Sequence, residues 1–228
     1  MACDGQPIGG EPPPAAILVW TGPLQRVSIG AMEERSRRIV DAAIELAEQG
    51  GFEAVRLRDV AAHAKVALGT LYRRFRSKED LLLAALELQL AAQERRLQEA
   101  PPPESSPLAR VTGFFQAYTE SLCGRPNLAR ALVRSIGSGA PELTLKVASF
   151  HSRMELLITA ALRGERAGDG GGAPNAAERR LVHSLLLVWF ASLTGWASGL
   201  HEQQEIVEHT RSAAELMLGG LDPCQSGS

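Results

Sequence analysis

The amino-acid sequence predicts an all-α fold, and three observations support that prediction. Apolar residues recur at spacings of three and four along most of the chain, which is the period of a helix buried on one face. No stretch alternates between apolar and polar residues in the way that a strand does. Proline and glycine are concentrated in a few connecting segments, and 228 residues are enough for one large or two modest cores. We therefore expect helices joined by short loops.

The two ends of the chain are predicted to be disordered. Residues 1–31 are rich in proline and glycine, and residues 221–228 form a short tail without an apolar pattern. The apolar run at 15–20 is short and no lysine or arginine precedes it, which argues against a signal peptide. Met32 stands immediately before the first predicted helix, so it is a candidate for the true translation start.

The first helix is predicted over residues 33–49 and to end at Gly50–Gly51, because glycine accepts the backbone conformation that closes a helix. Arg35, Arg37 and Arg38 lie at its beginning, where cations oppose the helix dipole. They indicate either an external anion, such as a phosphate, or a helix start that is merely solvated.

Residues 57–78 have the pattern of two short helices joined by a tight turn. Each helix carries an apolar stripe, formed by Val60, Ala61 and Ala64 in the first and by Val66, Leu71 and Phe75 in the second. Helices this short are unstable alone, so they must dock on the first helix. The second helix then exposes a polar and basic side, which is the geometry by which a helix-turn-helix enters a DNA major groove.

The charge of this segment supports the same interpretation. Residues 54–78 contain seven basic residues and one acidic residue, a net charge of +6, whereas the whole chain has a net charge of −2. A basic module joined to an acidic remainder is typical of a DNA-binding domain with a separate regulatory domain. The alternative is a solvated surface that is merely rich in arginine.

A set of landmarks lies between Arg38 and Leu82: Gly51–Phe52, Val60–Ala61, Gly69, Leu71–Tyr72, Phe75 and Ser77-Lys78-Glu79-Asp80. In combination they resemble the N-terminal domain of the TetR family of bacterial transcription regulators. Three positions depart from the common family pattern: Arg56 replaces a capping threonine, Lys65 replaces the turn glycine and Ala67 replaces a serine or threonine. If Lys65 adopts a positive φ, the strain relative to glycine is about 1 kcal/mol.

The resemblance implies that residues 32–80 form a helix-turn-helix DNA-binding domain. The predicted phosphate contacts are Tyr72, Arg74 and Lys78, and the predicted base-edge contacts are Arg58, Leu68, Thr70 and Arg73. Ala67 and Gly69 complete the predicted DNA surface, where Gly69 lets the backbone approach closely. Tyr72 could instead pack inside the domain, and Thr70 could be an ordinary surface residue. Ser77 and Asp80 have the form of a capping box, and the amides of the helix that they open could hold a phosphate.

Residues 81–220 are predicted to form a helical regulatory domain that binds an effector and dimerises. A long fourth helix joins it to the DNA-binding domain and is broken by the proline-rich segment 100–107, where Ser106–Pro107 restarts the chain. Further helices are predicted at 108–122, 127–136 and 141–162. After the glycine-rich linker 163–174, Asn175 caps an eighth helix, and a ninth covers 202–218.

Aromatic residues and a few polar ones are concentrated on three helices that, in TetR-like proteins, surround an effector pocket. The predicted pocket residues are Phe114, Phe115, Tyr118, Phe150, His151, Met154, Trp189, Phe190 and Ser192. Each alone is more typical of a core than of a ligand contact. Their concentration favours a cavity for a small apolar effector. A similarity to the lipid- and sterol-catabolism regulators of the family implies a fatty-acyl or steroid-like compound.

The eighth helix is apolar nearly all round over residues 185–200, so it must be covered on both sides. It is shorter than a membrane span requires, and we expect no contact with a membrane. The resemblance implies that the last two helices pair with those of a second copy. The predicted dimer interface consists of Leu186, Leu193, Trp196, Ile206, Thr210, Ala213 and Met217.

Nothing in the sequence indicates catalysis, a cofactor or a metal site. The motifs of serine hydrolases and zinc proteases are missing from the sequence, and the linker 163–174 lacks the ending of a phosphate-binding loop. His201, Glu205, Glu208 and His209 could share a helix face, but a solvated polar face accounts for them better than a metal does. The three cysteines have unrelated spacings, which suits a reducing cytoplasm.

The resemblance therefore implies a cytoplasmic, nucleoid-associated transcription regulator, most often a repressor. It would bind a near-palindromic DNA operator as a homodimer and be released by an effector that prefers the DNA-incompetent state. One alternative is an activator, or a regulator that needs its ligand to bind DNA. A second, from another class, is a helical ligand carrier or enzyme with a vestigial DNA module, against which the basic segment argues.

Overall fold

The structure is a computed structural model that describes residues 34–99, 106–169 and 172–219. Within these ranges the chain forms helices and no strand, which confirms the predicted all-α fold. The predicted disordered ends and the candidate start at Met32 lie outside the described residues. The nine α-helices of the described residues are α1 (Glu34–Ala54), α2 (Leu57–His63), α3 (Leu68–Tyr72), α4 (Lys78–Glu99), α5 (Pro107–Cys123), α6 (Pro126–Ile136), α7 (Thr144–Arg163), α8 (Ala176–Ala197) and α9 (Gln203–Gly219).

The regular part of α1 ends at Gly50 and Gly51, as the sequence predicts. Both glycines have non-helical dihedral angles, with φ −145° at Gly50 and +66° at Gly51. The positive φ at Gly51 is a conformation that glycine adopts without steric cost. A last helical turn, Phe52–Ala54, follows in a new direction and leads into α2.

The three helices α1, α2 and α3 pack around one small core. From α1, Ile39, Val40, Ala43 and Ala47 are buried, and from the two short helices and the residues that follow them Val60, Ala61, Leu71 and Phe75 are buried. This is the docking that the short helices need, because their own hydrogen bonds do not stabilise them. The packing leaves most of the polar surface of α3 in solvent.

Helix α4 runs from this module into the rest of the chain. Its leucines are buried along most of its length, from Leu81 to Leu97, since α1, α6 and α7 pack against it. All of the described residues belong to one compact unit. The predicted boundary between residues 80 and 81 therefore falls in the first turn of a continuous helix.

Local capping signals set two helix starts in the body. The Ser106 hydroxyl accepts a hydrogen bond from the Ala109 amide at 3.2 Å, and Pro107 occupies the first turn of α5. At α8, the Asn175 side chain accepts from the Glu178 amide, and the Glu178 carboxylate accepts from the Asn175 amide at 2.8 Å. Both starts lie where the sequence predicts them.

Candidate nucleic-acid interface and regulatory site

The turn between α2 and α3 contains a strained residue. Lys65 has φ +54° and is the one non-glycine residue in the described ranges with a positive φ. Its amide and that of Val66 donate to the carbonyls of Ala62 and Ala61, at 3.1 and 3.0 Å, and so close the end of α2. Lys65 therefore adopts the positive φ for which glycine is favoured, and the turn tolerates lysine at this position.

The predicted DNA-contact residues lie on and around α3. Seven of the nine are exposed: Arg58, Ala67, Leu68, Gly69, Tyr72, Arg73 and Arg74. Tyr72 is 53% exposed, so packing in the interior of the domain does not account for it. The Arg73 guanidinium donates to the Thr70 hydroxyl at 3.2 Å, which holds the arginine along the surface of α3. The arrangement offers one polar helical surface to a partner.

Lys78 is placed differently from the other predicted contacts. Its ammonium lies 3.7 Å from the centre of the Phe52 ring and 3.5 Å from the Glu53 carboxylate. Arg134 of α6 approaches the same two residues, at 4.2 Å from the ring centre and 2.9 Å from the carboxylate. Lys78 thus joins α1, α4 and α6, a role that the sequence does not reveal because its partners are distant along the chain.

Asp80 forms a second connection between the module and the body. Its carboxylate is buried, accepts a hydrogen bond from the Arg76 amide at 3.0 Å and pairs with the ammonium of Lys146 on α7. The Ser77 hydroxyl accepts from the Asp80 amide at 3.1 Å, which is one half of the predicted capping box. The carboxylate half is directed to Arg76 and α7 instead, since a buried charge requires a cationic partner.

Six of the predicted pocket residues form a close-packed aromatic core. Phe114, Phe115, Tyr118, Phe150, Met154 and Trp189 are all buried. The ring centres of Tyr118 and Trp189 are 5.4 Å apart, and those of Phe115 and Trp189 are 6.0 Å apart. The Trp189 indole donates to the Thr119 hydroxyl at 2.9 Å. In this conformation the region predicted to hold the effector is occupied by its own side chains.

One polar group in this core is not satisfied. The Tyr118 hydroxyl is buried and has no hydrogen-bond partner among the described residues. Burial raises the pKa of Tyr118 well above its usual value, because the charged form would lose its hydration, although the positive charge of Arg153 opposes that rise. Tyr118 is therefore a neutral hydroxyl available to a ligand that enters the core.

The other three predicted pocket residues lie apart from that core or at its edge. The half-buried His151 ring lies 5.9 Å from Phe150 and 6.3 Å from Phe190. Burial lowers the pKa of His151, although the nearby Glu155 carboxylate opposes this effect. His151 also lines a crevice of about 310 Å³ at the corner between α6 and α7. Ser192 instead pairs with His209 of α9 at 3.2 Å, so it is directed towards the α8–α9 contact.

Five of the seven predicted interface residues are covered by their own chain: Leu186, Leu193, Trp196, Ile206 and Thr210. Ala213 and Met217 are half-buried. Helix α8 packs on α9, α7 and α6, and α9 packs on α5, which buries these positions within the single chain. The apolar surface left open on the same helices contains Leu187, which is 53% exposed, and Leu216.

Within the described ranges, α8 is also the one helix that is long and apolar enough to cross a membrane by length and composition alone. Core helices of soluble proteins meet the same criteria, and much of α8 is buried here.

The comparisons with known proteins agree with this architecture. Residues 39–85 match the family described as bacterial regulatory proteins, tetR family. The HTH-type transcriptional repressor KstR of Rhodococcus jostii is 30% identical over 193 residues, which cover 85% of this chain and 87% of the relative.

Two solved structures extend the comparison. A TetR transcriptional regulator from Rhodococcus sp. RHA1 superposes with a TM-score of 0.70 at 26% identity, covering 84% of this chain and 99% of that one. FadR from Bacillus subtilis, in complex with stearoyl-CoA, superposes with a TM-score of 0.56 at 20% identity, covering 81% and 98%. The second likeness shows the fold alone. The relatives are DNA-binding transcriptional repressors, which act in the cytoplasm, and this chain is assigned to the cytoplasm on that basis. This chain belongs to the TetR family of bacterial regulatory proteins and is a DNA-binding transcription regulator, not an enzyme.

Proposed function

We propose that this chain is a ligand-responsive repressor that binds a near-palindromic operator as a homodimer in the nucleoid. The observation that carries the proposal is the exposed surface of α3, which bears Arg73, on a module with a buried apolar core. A helix held in this way can enter a major groove without losing its own packing. The repressor function is supported by the relationship to KstR.

In this proposal α3 reads the bases and its surroundings contact phosphates. Arg73 can pair with the edge of a guanine, and Leu68 can contact a thymine methyl group. Arg58, Ala67, Gly69 and Thr70 would lie beside them. Tyr72, Arg74 and Lys78 would contact the backbone, with Lys78 reaching DNA only from the junction that it forms with Phe52 and Glu53.

The proposed dimer uses the outer faces of α8 and α9. Leu187, Ala191 and Thr194 are exposed at spacings of four and three along α8, with Phe190 half-buried beside them. That stripe has the period of a helix–helix interface, and a second copy would remove its apolar surface from water. Contact between the two copies would set the distance between their recognition helices.

The proposed effector binds in the core of the body, where Phe114, Tyr118 and Trp189 meet. Because these side chains fill the space, an effector can enter only if the helices around them move apart. The effector therefore binds the opened conformation more tightly than the packed one. Release from DNA requires such a difference in affinity between two conformations. The apolar lining and the unpaired hydroxyl of Tyr118 favour a fatty-acyl or steroid-like compound with few polar groups.

Two connections can carry that movement to the DNA-binding module. Lys146 of α7 pairs with Asp80 in the first turn of α4, and Arg134 of α6 pairs with Glu53 at the end of α1. A displacement of α6 or α7 changes the position of both partners. Since α3 is connected to α4 through the turn that Asp80 stabilises, its orientation on the operator changes as well.

The proposal is tested by fluorescence anisotropy with a duplex from the region upstream of the chain's own gene and with a random duplex. We expect tighter binding to the upstream duplex and its loss when a fatty-acyl or steroid thioester is added. Arg73→Ala should reduce the preference for the upstream duplex about tenfold or more, whereas Lys78→Ala should weaken both duplexes alike. Equal affinity of the wild-type protein for both duplexes at every salt concentration would contradict the proposal.

A further inference from the structure

A basic notch lies between the beginning of α1 and the turn that joins α2 to α3. It has a volume of about 310 Å³ and is lined by Arg35, Arg38, Lys65, Val66, Ala67 and Thr70. The arginines come from the first turns of α1, and Lys65 comes from the turn. Only the docking of the three helices brings these cations to one opening, so the notch is a product of the fold.

The charges in the notch are unbalanced. Arg35, Arg38 and Lys65 are exposed, and none of them has an acidic partner among the residues that the structure describes. Arg37, from the same turn of α1, is outside the notch and pairs with Asp41 at 3.6 Å. Three cations around one opening repel one another, and a bound anion relieves that repulsion.

The backbone at Lys65 is a second and independent sign of function. A lysine at φ +54° is strained, and glycine would adopt the same conformation without that strain. Strain of this kind persists where the residue contributes something that compensates for it. Here the strained residue lines the same opening as Arg35 and Arg38, and its side chain carries a third positive charge.

We propose that the basic notch binds one phosphate of the DNA backbone in each subunit. The inference rests on the proposed function, and it adds a contact surface, formed by Arg35, Arg38 and Lys65, beside the recognition helix. The arginines can offer paired N–H donors to the phosphate oxygens, and Lys65 adds a point charge. Because Ala67 and Thr70 of the α3 region line the same notch, the phosphate lies next to the bases that α3 reads. Such a contact fixes the register of the helix without reading sequence itself.

The experiment measures binding of the full chain to the upstream duplex and to random duplex over a series of salt concentrations. Lys65→Gly and the double variant Arg35→Gln/Arg38→Gln should weaken both duplexes to a similar degree. The slope of log affinity against log salt should fall by about 1 for each subunit, since fewer counterions are released. Lys65→Gly should do so without lowering the unfolding temperature, and Lys65→Arg should keep the wild-type slope. Arg37→Gln is the matched control, since it removes one charge from the same turn of α1 outside the notch.

Three results would overturn the inference. One is a wild-type salt slope in both notch variants while the wild-type protein binds its operator normally. Another is a slope that falls as much in Arg37→Gln as in Lys65→Gly, which would make the effect one of net charge alone. The third concerns inorganic phosphate, which would raise the unfolding temperature of the wild-type protein but not that of the notch variants. If the salt dependence of DNA binding were unchanged in those same variants, the notch would be a site for a free anion. Failure of the proposed function is distinguishable, because then the wild-type protein itself would not prefer its operator.

Discussion

Replacing Tyr118 by phenylalanine tests directly how the body of this regulator is built. Tyr118 is 1% exposed, and its ring centre lies 6.2 Å from that of Phe114 and 5.4 Å from that of Trp189. Its hydroxyl has no partner among the described residues. Phenylalanine keeps the ring contacts and removes only the oxygen, so the substitution isolates the cost of burying that group.

The magnitude follows from the chemistry of an unsatisfied hydroxyl. A buried polar group without a partner costs about 1–3 kcal/mol, and Tyr118→Phe removes that cost. We expect the free energy of unfolding to rise by about 1 kcal/mol. For a chain of this length, that corresponds to a rise of about 2–4 °C in the unfolding temperature.

The neighbouring residue provides a control of opposite sign. Thr119 accepts the hydrogen bond of the Trp189 indole, so Thr119→Val leaves a buried N–H group unpaired. We expect that variant to lose about 1–3 kcal/mol of stability. Both variants are followed by circular dichroism during thermal unfolding at one protein concentration, because the unfolding temperature of a dimer depends on concentration.

The same variant tests the proposed effector site. If the Tyr118 hydroxyl pairs with a polar group of the effector, Tyr118→Phe keeps its operator affinity but needs about tenfold more effector for release, the equivalent of one lost hydrogen bond. A Tyr118→Phe variant as unstable as Thr119→Val would contradict this prediction, because it would show that the hydroxyl is satisfied in the folded protein.

Three further predictions concern the junction, the dimer and the core. Lys146→Met leaves the buried Asp80 carboxylate without its cation and should lower the free energy of unfolding by about 1 kcal/mol in chemical denaturation. The value is small because the Lys146 side chain is 49% exposed and solvent screens the pair. Lys146→Arg should retain the wild-type stability. Leu187→Glu should convert the dimer to monomers in sedimentation velocity without changing the helical circular dichroism signal, and an unchanged dimer would locate the interface elsewhere. Burial raises the pKa of Cys123 to about 12, so this thiol is protonated at pH 8. In a variant whose other two cysteines are replaced by serine, a thiol reagent should therefore react only as fast as the fold opens. Immediate reaction would place this thiol at the surface.

Features that depend on a few neighbouring residues were predictable from the sequence. The Asn175–Glu178 cap and the break at Gly50–Gly51 both appear where local chemistry places them. Each is decided within one turn of backbone, so the residues that determine it are adjacent in the sequence.

Contacts between distant residues were not predictable in this way. Asp80 and Lys146 are 66 positions apart, and their pairing depends on how α7 docks against α4. The pattern around Ser77 and Asp80 indicated a helix cap, but it carried no information about the second partner of the carboxylate. Likewise, nothing adjacent to Lys78 shows that Phe52 and Glu53 hold its ammonium group.

The apolar helix α8 shows a different limit. Its residues are apolar nearly all round, so periodicity does not select the face that turns inwards. Leu186 and Leu193 were assigned to the dimer surface and are buried within the chain, whereas Leu187 is exposed. The aromatic residues of α5 have the same ambiguity, because a packed core and a ligand pocket have the same composition.

Sedimentation velocity of the protein with a saturating upstream duplex shows whether two copies of this chain hold two recognition helices on one operator. We expect the smallest complex to contain two chains on one duplex, and a duplex cut to a single half-site to bind far more weakly. A stable complex of one chain with the full operator, at the affinity of the intact protein, would contradict this expectation.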